Sequence, residues 1–91
     1  MNFCSSQEFQ AADRKLNQVY QQLQANISSR QKQRLTAAQR TWIAFRDQNC
    51  DYAKGQFEGG SVAASTYGYC RARVTQERIK DLEGFLKQAN L

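Results

Sequence analysis

Apolar side chains recur every three or four residues in the first third of the chain, which is the spacing of one face of an α-helix. The stripe consists of Phe9, Ala12, Leu16, Val19, Leu23 and Ile27, and it is widened by Tyr20. The chain has no proline to interrupt it. The pattern predicts a helix over 5–27, with Ser5 as its N-cap and Glu8 completing a capping box.

A second stripe follows a Ser-Ser pair that is typical of a turn and a helix cap. Ser28 and Ser29 can cap this helix, and Gly55 is its predicted stop. Its apolar stripe is Leu35, Ala38, Trp42, Phe45 and Tyr52, with Ile43 and Cys50 beside it.

The glycine-rich residues 55–66 predict a loop. Ser65 or Thr66 is then expected to cap a third helix, whose apolar positions include Val74, Ile79 and Leu82. The predicted fold is all-α: a single domain over 1–91, built as a three-helix antiparallel bundle with the loop between helices two and three.

A short turn between the first two helices makes them antiparallel, so residues whose numbers sum to about 58 or 59 lie at one height. Apolar positions then face each other, and the predicted core is Leu16, Tyr20, Leu23, Leu35, Trp42, Phe45 and Leu82. The same register brings Asp13 to Arg46, with Arg78 at a similar height. We interpret these three as a structural polar layer that orients the helices, in preference to an anion site.

The three cysteines fall at one end of such a bundle, because Cys4 begins helix one, Cys50 ends helix two and Cys70 begins helix three. A Cys50–Cys70 disulfide is favoured because it closes the flexible loop, which stabilises a small fold by about 3 kcal/mol. Cys4 is then a reduced thiol or is bonded to a cysteine upstream.

The net charge of +5 is unevenly spread, since residues 28–54 hold six basic and two acidic side chains. A basic second helix is compatible with anionic polymers as partners. Nucleic acid is disfavoured because no helix-turn-helix signature appears. No apolar run is long enough for a transmembrane segment.

The chemistry of catalysis is missing from the pattern. The chain has no histidine, so a serine or cysteine nucleophile lacks its usual base. The cysteines have no CxxC spacing, and no metal site or cofactor is expected. We therefore predict a binding protein and no enzyme.

Several motifs resemble one family. Asp13-x-x-Leu-Asn-x-x-Tyr20, Ala38-Gln-Arg-x-Trp-Ile-x-Phe-Arg-Asp-x-x-Cys50, Gly59-Gly-Ser61, Cys70 and Val74-Thr-x-x-Arg78 are similar to the LprI-type lysozyme inhibitors. The resemblance runs over nearly the whole chain. It implies a secreted or periplasmic bacterial helical domain with disulfides, in some members lipid-anchored, and a role in inhibiting lysozyme. It also implies an export segment and a further cysteine upstream of Met1.

Two hypotheses follow. In the first, the protein blocks a muramidase such as lysozyme through the loop and the cysteine-rich end, with contacts from Gly59, Gly60, Ser61, Tyr67 and Tyr69. In the second, it is a non-catalytic module of the cell envelope that binds anionic polymers through Arg30, Lys32 and Arg34.

Overall fold

Three long helices account for most of the chain in this computed structural model, which describes residues 3–91. They are α1 (Phe3–Gln24), α2 (Ser29–Gly55) and α3 (Val62–Ala89). The bundle measures 48 × 21 × 14 Å, and no strand occurs within the described residues. The all-α prediction is therefore confirmed. Met1 and Asn2, where the domain predicted over 1–91 begins, lie outside the described range.

The helices run up, down and up. Between α1 and α2, Arg46 Nη1 lies 3.9 Å from Asp13 Oδ1, and the hydroxyls of Tyr20 and Thr36 are 3.3 Å apart. The later residue of α1 thus meets the earlier residue of α2, which is the antiparallel order. Of the two serines predicted as caps, Ser28 caps α2, because its Oγ accepts a hydrogen bond of 3.2 Å from the Gln31 N–H.

Aliphatic side chains of α1 and α3 form the buried core. Its members are Leu16, Val19, Leu23, Ile79 and Leu82. Tyr20, Leu35 and Trp42 are partly buried against this cluster. Of the seven core residues expected from the sequence, six lie in or against the core, and area burial of these side chains is the main stabilising term for the fold.

Phe45 is the seventh, and its assignment to the core is wrong. Its side chain faces solvent and is 56% exposed. The residues of α2 that are buried are Gln39, Arg46 and Cys50, which recur at helical spacing. Burying Cys50 sets the rotation of α2, and one residue corresponds to about 100° of turn. Arg46 therefore lies inside and Phe45 outside.

The start of α1 also differs from the prediction. Helix α1 begins at Phe3, so Ser5 is a helical residue and not the N-cap, and it is fully buried. It packs against Gly68 of α3, where an added Cβ would lie 2.5 Å from Ser5 Oγ. This close approach of two helices favours small residues on both sides, and packing here overrides the capping signal.

The connection between α2 and α3 is shorter than the predicted loop over 55–66. Helix α3 begins at Val62, with Ser61 in the N-cap position, so Ser65 and Thr66 are helical and cap nothing. Alanine is a strong helix former, and Ala63 and Ala64 extend the helix toward the glycines. The remaining loop, residues 56–61, still contains Gly59 and Gly60.

Candidate functional site

A disulfide closes the end of the bundle where α2 leads into α3. Cys50 and Cys70 are bonded with a Cα–Cα distance of 5.5 Å, and they are 20 residues apart in sequence. Cys50 is fully buried. The predicted pairing is confirmed, and it restrains the two helix ends from which the loop starts.

Loop 56–61 is a series of tight hydrogen-bonded turns. The Phe57 N–H donates to the Lys54 carbonyl at 2.9 Å, and the Gly60 N–H donates to the Phe57 carbonyl at 3.0 Å. The Ala63 N–H then donates to the Gly60 carbonyl at 3.2 Å. Gly59 has a φ of +86°, a conformation that glycine adopts without steric cost. The disulfide beside the loop and the hydrogen bonds within it therefore both restrain its conformation.

A cleft of about 770 Å³ lies between this loop and the first turn of α1. Gly59 and Gly60 form one wall, and Ser5 forms part of the other. Tyr67 and Arg71 of α3 also line it, together with Lys54, Asp51 and Glu58. Its volume falls within the range of pockets that bind ligands or partner side chains.

Two cations lie over the Tyr67 ring in the cleft. The Lys54 ammonium lies 4.7 Å from the ring centroid, and the Arg71 guanidinium carbon lies 5.1 Å from it. Lys54 also lies 3.4 Å from Asp51 Oδ1. Cations over an aromatic face are attracted by its quadrupole, so the Tyr67 ring and both cations fix one another's positions.

This stacking continues along the bundle as a cation–aromatic ladder, defined here as Lys54, Tyr67, Arg71, Phe9, Arg46, Trp42 and Arg78. Arg71 lies 3.8 Å from the Phe9 ring centroid, and Arg46 lies 5.0 Å from the same ring. Arg46 and Arg78 lie 5.2 Å and 6.0 Å from the Trp42 ring. The ladder includes residues of all three helices and runs from the cleft to the middle of the bundle.

Acidic and amide groups compensate the charges of the ladder. Asp47 Oδ1 accepts a 2.9 Å hydrogen bond from Arg46 Nε and lies 3.4 Å from Arg71 Nε. The second contact is an ion pair without hydrogen-bond geometry. Arg78 Nε donates to Gln39 Oε1 at 3.1 Å. Each of these guanidinium groups therefore has an oxygen partner, as a partly buried cation requires.

The predicted polar layer is partly assembled. Asp13 meets Arg46, whereas Arg78 is joined to Arg46 through the Trp42 ring and not through Asp13. Sequence reasoning missed Phe9, Arg71 and Asp47 in this cluster. Counting back from Cys50 in steps of four and three residues reaches Arg46, Trp42 and Gln39, which therefore lie on the same face of the helix. This spacing identifies the side of α2 that faces the other helices.

The five residues predicted to bind a partner are only partly brought together. Gly59, Gly60 and Tyr67 line the cleft. Ser61 is exposed beside it, and Tyr69 is exposed elsewhere on α3, outside the cleft lining. Cys4 is exposed at this end of the bundle, next to Ser5. The binding role of these residues stays a prediction, as does the state of Cys4.

None of the three helices within residues 3–91 has an apolar stretch sufficient to cross a membrane.

The fold and site together define a small three-helix protein that is stapled at one end, where an ordered loop borders a cleft. The sequence model of the family described as "Lysozyme inhibitor LprI" matches residues 1–82. The chain belongs to the LprI family.

A curated relative supports this assignment without adding an activity. It is an uncharacterized protein of Rhizobium meliloti (strain 1021), 29% identical over 98% of this chain and 73% of its own length. No solved structure matches the chain.

Proposed function

We propose that the protein inhibits a muramidase by surface contact, using loop 56–61 and the adjoining cleft. Membership of the LprI family supports inhibition as the activity. The observation that carries the assignment to this end is the ordered loop beside a disulfide, with Phe57 44% exposed on it. The protein acts as a binding protein and not as a catalyst.

Preorganisation is the first physical argument for the loop. A loop that is already ordered loses little conformational entropy when it binds, so more of its contact energy becomes affinity. Inhibitors of enzymes commonly bind with little backbone movement. The hydrogen-bonded turns at Phe57, Gly60 and Ala63 provide such a surface.

Charge and aromatic chemistry are the second argument. Glycosidases of this class use a pair of carboxylates, and a partly exposed ammonium such as that of Lys54 complements a carboxylate site. Phe57 and Tyr67 supply aromatic anchors of the kind that dominate protein interfaces. Gly59, Gly60 and Ser61 offer backbone groups, and Tyr69 extends the contact surface.

Export is part of the proposal. A disulfide in a small domain suits an oxidising compartment, which favours a secreted or periplasmic location, with or without a lipid anchor. Fractionation of cells producing the full-length gene product tests it. Recovery in the cytoplasm with reduced Cys50 and Cys70 would contradict export.

A lysis assay tests the inhibitory function. Wild-type protein is titrated against lysozyme acting on bacterial cells, beside Phe57→Ala and its matched control Phe85→Ala. The two phenylalanines are 44% and 45% exposed but lie at opposite ends of the bundle. We expect Phe57→Ala to weaken inhibition about tenfold or more, as an interface anchor does, and Phe85→Ala to leave it unchanged.

Charge reversal gives a second test. Lys54→Glu is expected to weaken inhibition, whereas Lys87→Glu, in the last turn of α3, is expected to have little effect. Unchanged lysis at a large molar excess of oxidised wild-type protein would refute inhibition itself. Inhibition that is equally sensitive to the variants at both ends would refute the location.

A second candidate function is binding to anionic envelope polymers through α2. Arg30, Lys32 and Arg34 are exposed, and none forms an ion pair with a described residue. Binding to a polyanion through them should weaken steeply with added salt. Replacing all three by glutamine should abolish it while leaving lysis inhibition intact. Salt-insensitive binding would exclude this function.

A further inference from the structure

The backbones of α1 and α2 are held apart, although both helices pack against α3. Their Cα atoms scarcely come within 8 Å of each other, and an open groove of about 320 Å³ lies between them. Side-chain contacts cross the groove at its two ends, Asp13 with Arg46 and Tyr20 with Thr36. Asp13 and Tyr20 are seven residues apart, which is about 10 Å along a helix. The groove therefore has the size of a small molecule or of one end of a peptide.

Two polar side chains of α2 form the innermost part of the groove, beside the core residue Leu16. Gln39 is 8% exposed and Arg46 is 6% exposed, so both are more than nine-tenths buried. Gln39 Oε1 accepts a hydrogen bond from Arg78 Nε, and this bond fixes the orientation of the amide. The two donors on Gln39 Nε2 are therefore left without a partner among the described residues.

Arg46 also has donors that are not used within the described chain. Its Nη1 lies 3.9 Å from Asp13 Oδ1, which is too long for a hydrogen bond. Among the described residues, the buried side-chain atoms that have neither a hydrogen-bond partner nor access to solvent are Arg71 Nε and Thr75 Oγ1. Gln39 Nε2 and the Nη atoms of Arg46 are therefore accessible to solvent. Since both side chains line the groove, we infer that these donors open into it.

The charge of the groove is positive. Arg40 lines it, is exposed, and forms no ion pair with a described residue. Arg46 and Asp13 are the other charged residues of the lining, so its sum is +1. A lining with unused donors and an unpaired cation favours a ligand that only accepts hydrogen bonds and is negatively charged, and an ionised carboxylate has both properties.

We propose that the groove between α1 and α2 binds an organic carboxylate. Its oxygens accept hydrogen bonds from Gln39 Nε2 and from the Nη atoms of Arg46, whose planar group suits a carboxylate. Arg40 attracts the charge from the edge of the groove. Ile43, which is 40% exposed and lines the same groove, contacts the apolar part of the ligand. A free carboxylic acid and the C-terminus of a peptide both present this chemistry.

Asp13 competes with the ligand in this arrangement. Its carboxylate approaches the same Nη1 atom of Arg46, and its side chain is 42% exposed, so it can turn toward solvent when a ligand enters. Asp13→Asn removes a negative charge beside the site and should therefore strengthen the binding of a carboxylate. The binding of a neutral ligand would not respond in this direction.

Trp42 reports binding, because it is the only tryptophan of the chain and Arg46 lies 5.2 Å from its ring. The probe is N-acetyl-leucine, and its matched control is the neutral N-acetyl-leucinamide. At constant ionic strength we expect Trp42 fluorescence and backbone amide chemical shifts to titrate with a Kd of about 1 mM for the acid, and no saturable change for the amide. Isovalerate distinguishes the two sources, because equal binding indicates a free acid and weaker binding indicates a peptide C-terminus.

Charge variants locate the site. Arg40→Gln should weaken the binding of N-acetyl-leucine about fivefold, since it removes the unpaired cation. Its matched control is Arg14→Gln, the same change at an exposed residue of α1 outside the groove lining, which should bind as the wild type does. Asp13→Asn should strengthen binding about threefold. None of the three altered side chains is buried, so circular dichroism should show an unchanged fold.

Equal affinity for the acid and the amide would overturn the proposal, and so would the absence of any saturable change up to about 20 mM N-acetyl-leucine. Equal effects of Arg40→Gln and Arg14→Gln, or weaker binding by Asp13→Asn, would also overturn it. The groove shares no lining residue with the cleft beside loop 56–61. Each variant should therefore inhibit lysis as the wild type does, and the two proposals can fail separately.

Discussion

Helix α3 packs against α1 mainly through aliphatic side chains, whereas it meets α2 mainly through cations, aromatic rings and a disulfide. The first contact is built from residues such as Leu16, Val19 and Leu82. The second is built from the Lys54–Tyr67 and Arg78–Trp42 contacts of the cation–aromatic ladder and from the Cys50–Cys70 bond. Area burial is non-directional, while stacked cations and hydrogen bonds need one geometry. The difference indicates that α1 and α3 supply stability and that α2 is placed specifically.

Mutations in the aliphatic contact between α1 and α3 should lower the free energy of unfolding most. Leu82 is fully buried in the core, so Leu82→Ala should lower the free energy of unfolding by about 3 to 4 kcal/mol, through lost burial and a cavity. Urea unfolding measures this. Leu91→Ala, at a fully exposed position, should change stability by no more than about 0.5 kcal/mol. A loss below about 1 kcal/mol for Leu82→Ala would contradict the assignment of the core.

Removing the disulfide should distinguish the α1–α3 contact from the α2–α3 contact. The variant Cys50→Ala/Cys70→Ala should lose about 3 kcal/mol, because the unfolded chain regains the entropy of the loop. Hydrogen exchange should show the loss of protection concentrated in α2, with α1 and the middle of α3 least affected. Uniform loss of protection over all three helices would mean that the bundle opens as one unit.

The α1–α3 crossing at Ser5 tests the aliphatic side more locally. An added Cβ at Gly68 would lie 2.5 Å from Ser5 Oγ and 2.7 Å from Ser5 Cβ, so Gly68→Ala should cost about 2 kcal/mol through overpacking. Gly84 has nothing within 4 Å of an added Cβ and lies inside α3. Gly84→Ala should therefore stabilise by about 0.5 to 1 kcal/mol. Equal effects of the two changes on the thermal midpoint would show that the crossing is not tight.

A mutation in the cation–aromatic ladder should change the free energy of unfolding least. Arg46→Lys keeps the charge but loses the planar group that faces Phe9 and Trp42, and we expect a loss of about 1 kcal/mol in urea unfolding. Arg14→Lys, at an exposed position, is the control and should be neutral. If both changes are neutral, charge alone and not stacking would account for the role of Arg46.

Local signals were sufficient for much of this architecture. Three predictions depended only on neighbours within one or two turns: the helix over 5–27, the serine cap of the second helix and its stop at Gly55. The structure has α1 over Phe3–Gln24, and α2 is capped by Ser28 and ends at Gly55. The start of α3 at Val62 was missed because loop glycines and cap residues were weighted above the helix propensity of the alanines. Phe45 was wrongly placed in the core because apolar residues of α2 were expected to point inward, and α2 buries Gln39 and Arg46 beside the partly buried Trp42 instead.

The candidate site, like the fold, was predictable from the sequence only in part. The cysteine pairing and the position of the glycine loop were predictable, since both follow from chain order in an up-down-up bundle. The composition of the cleft was not. Ser5 and Arg71 lie far from the loop in sequence, and they line the cleft only because α1 and α3 pack side by side.

By itself, the sequence determined three helices, their antiparallel order and the end at which the cysteines meet, because periodicity, caps and short turns act over a few residues. The tertiary structure decided the rotation of each helix about its own axis, and with it the burial of Arg46 and the exposure of Phe45 and Tyr52. The reason is geometric. A change of one residue in register turns a helix face by about 100°, and only contacts between helices, here the Cys50–Cys70 bond and the cation–aromatic ladder, select one rotation.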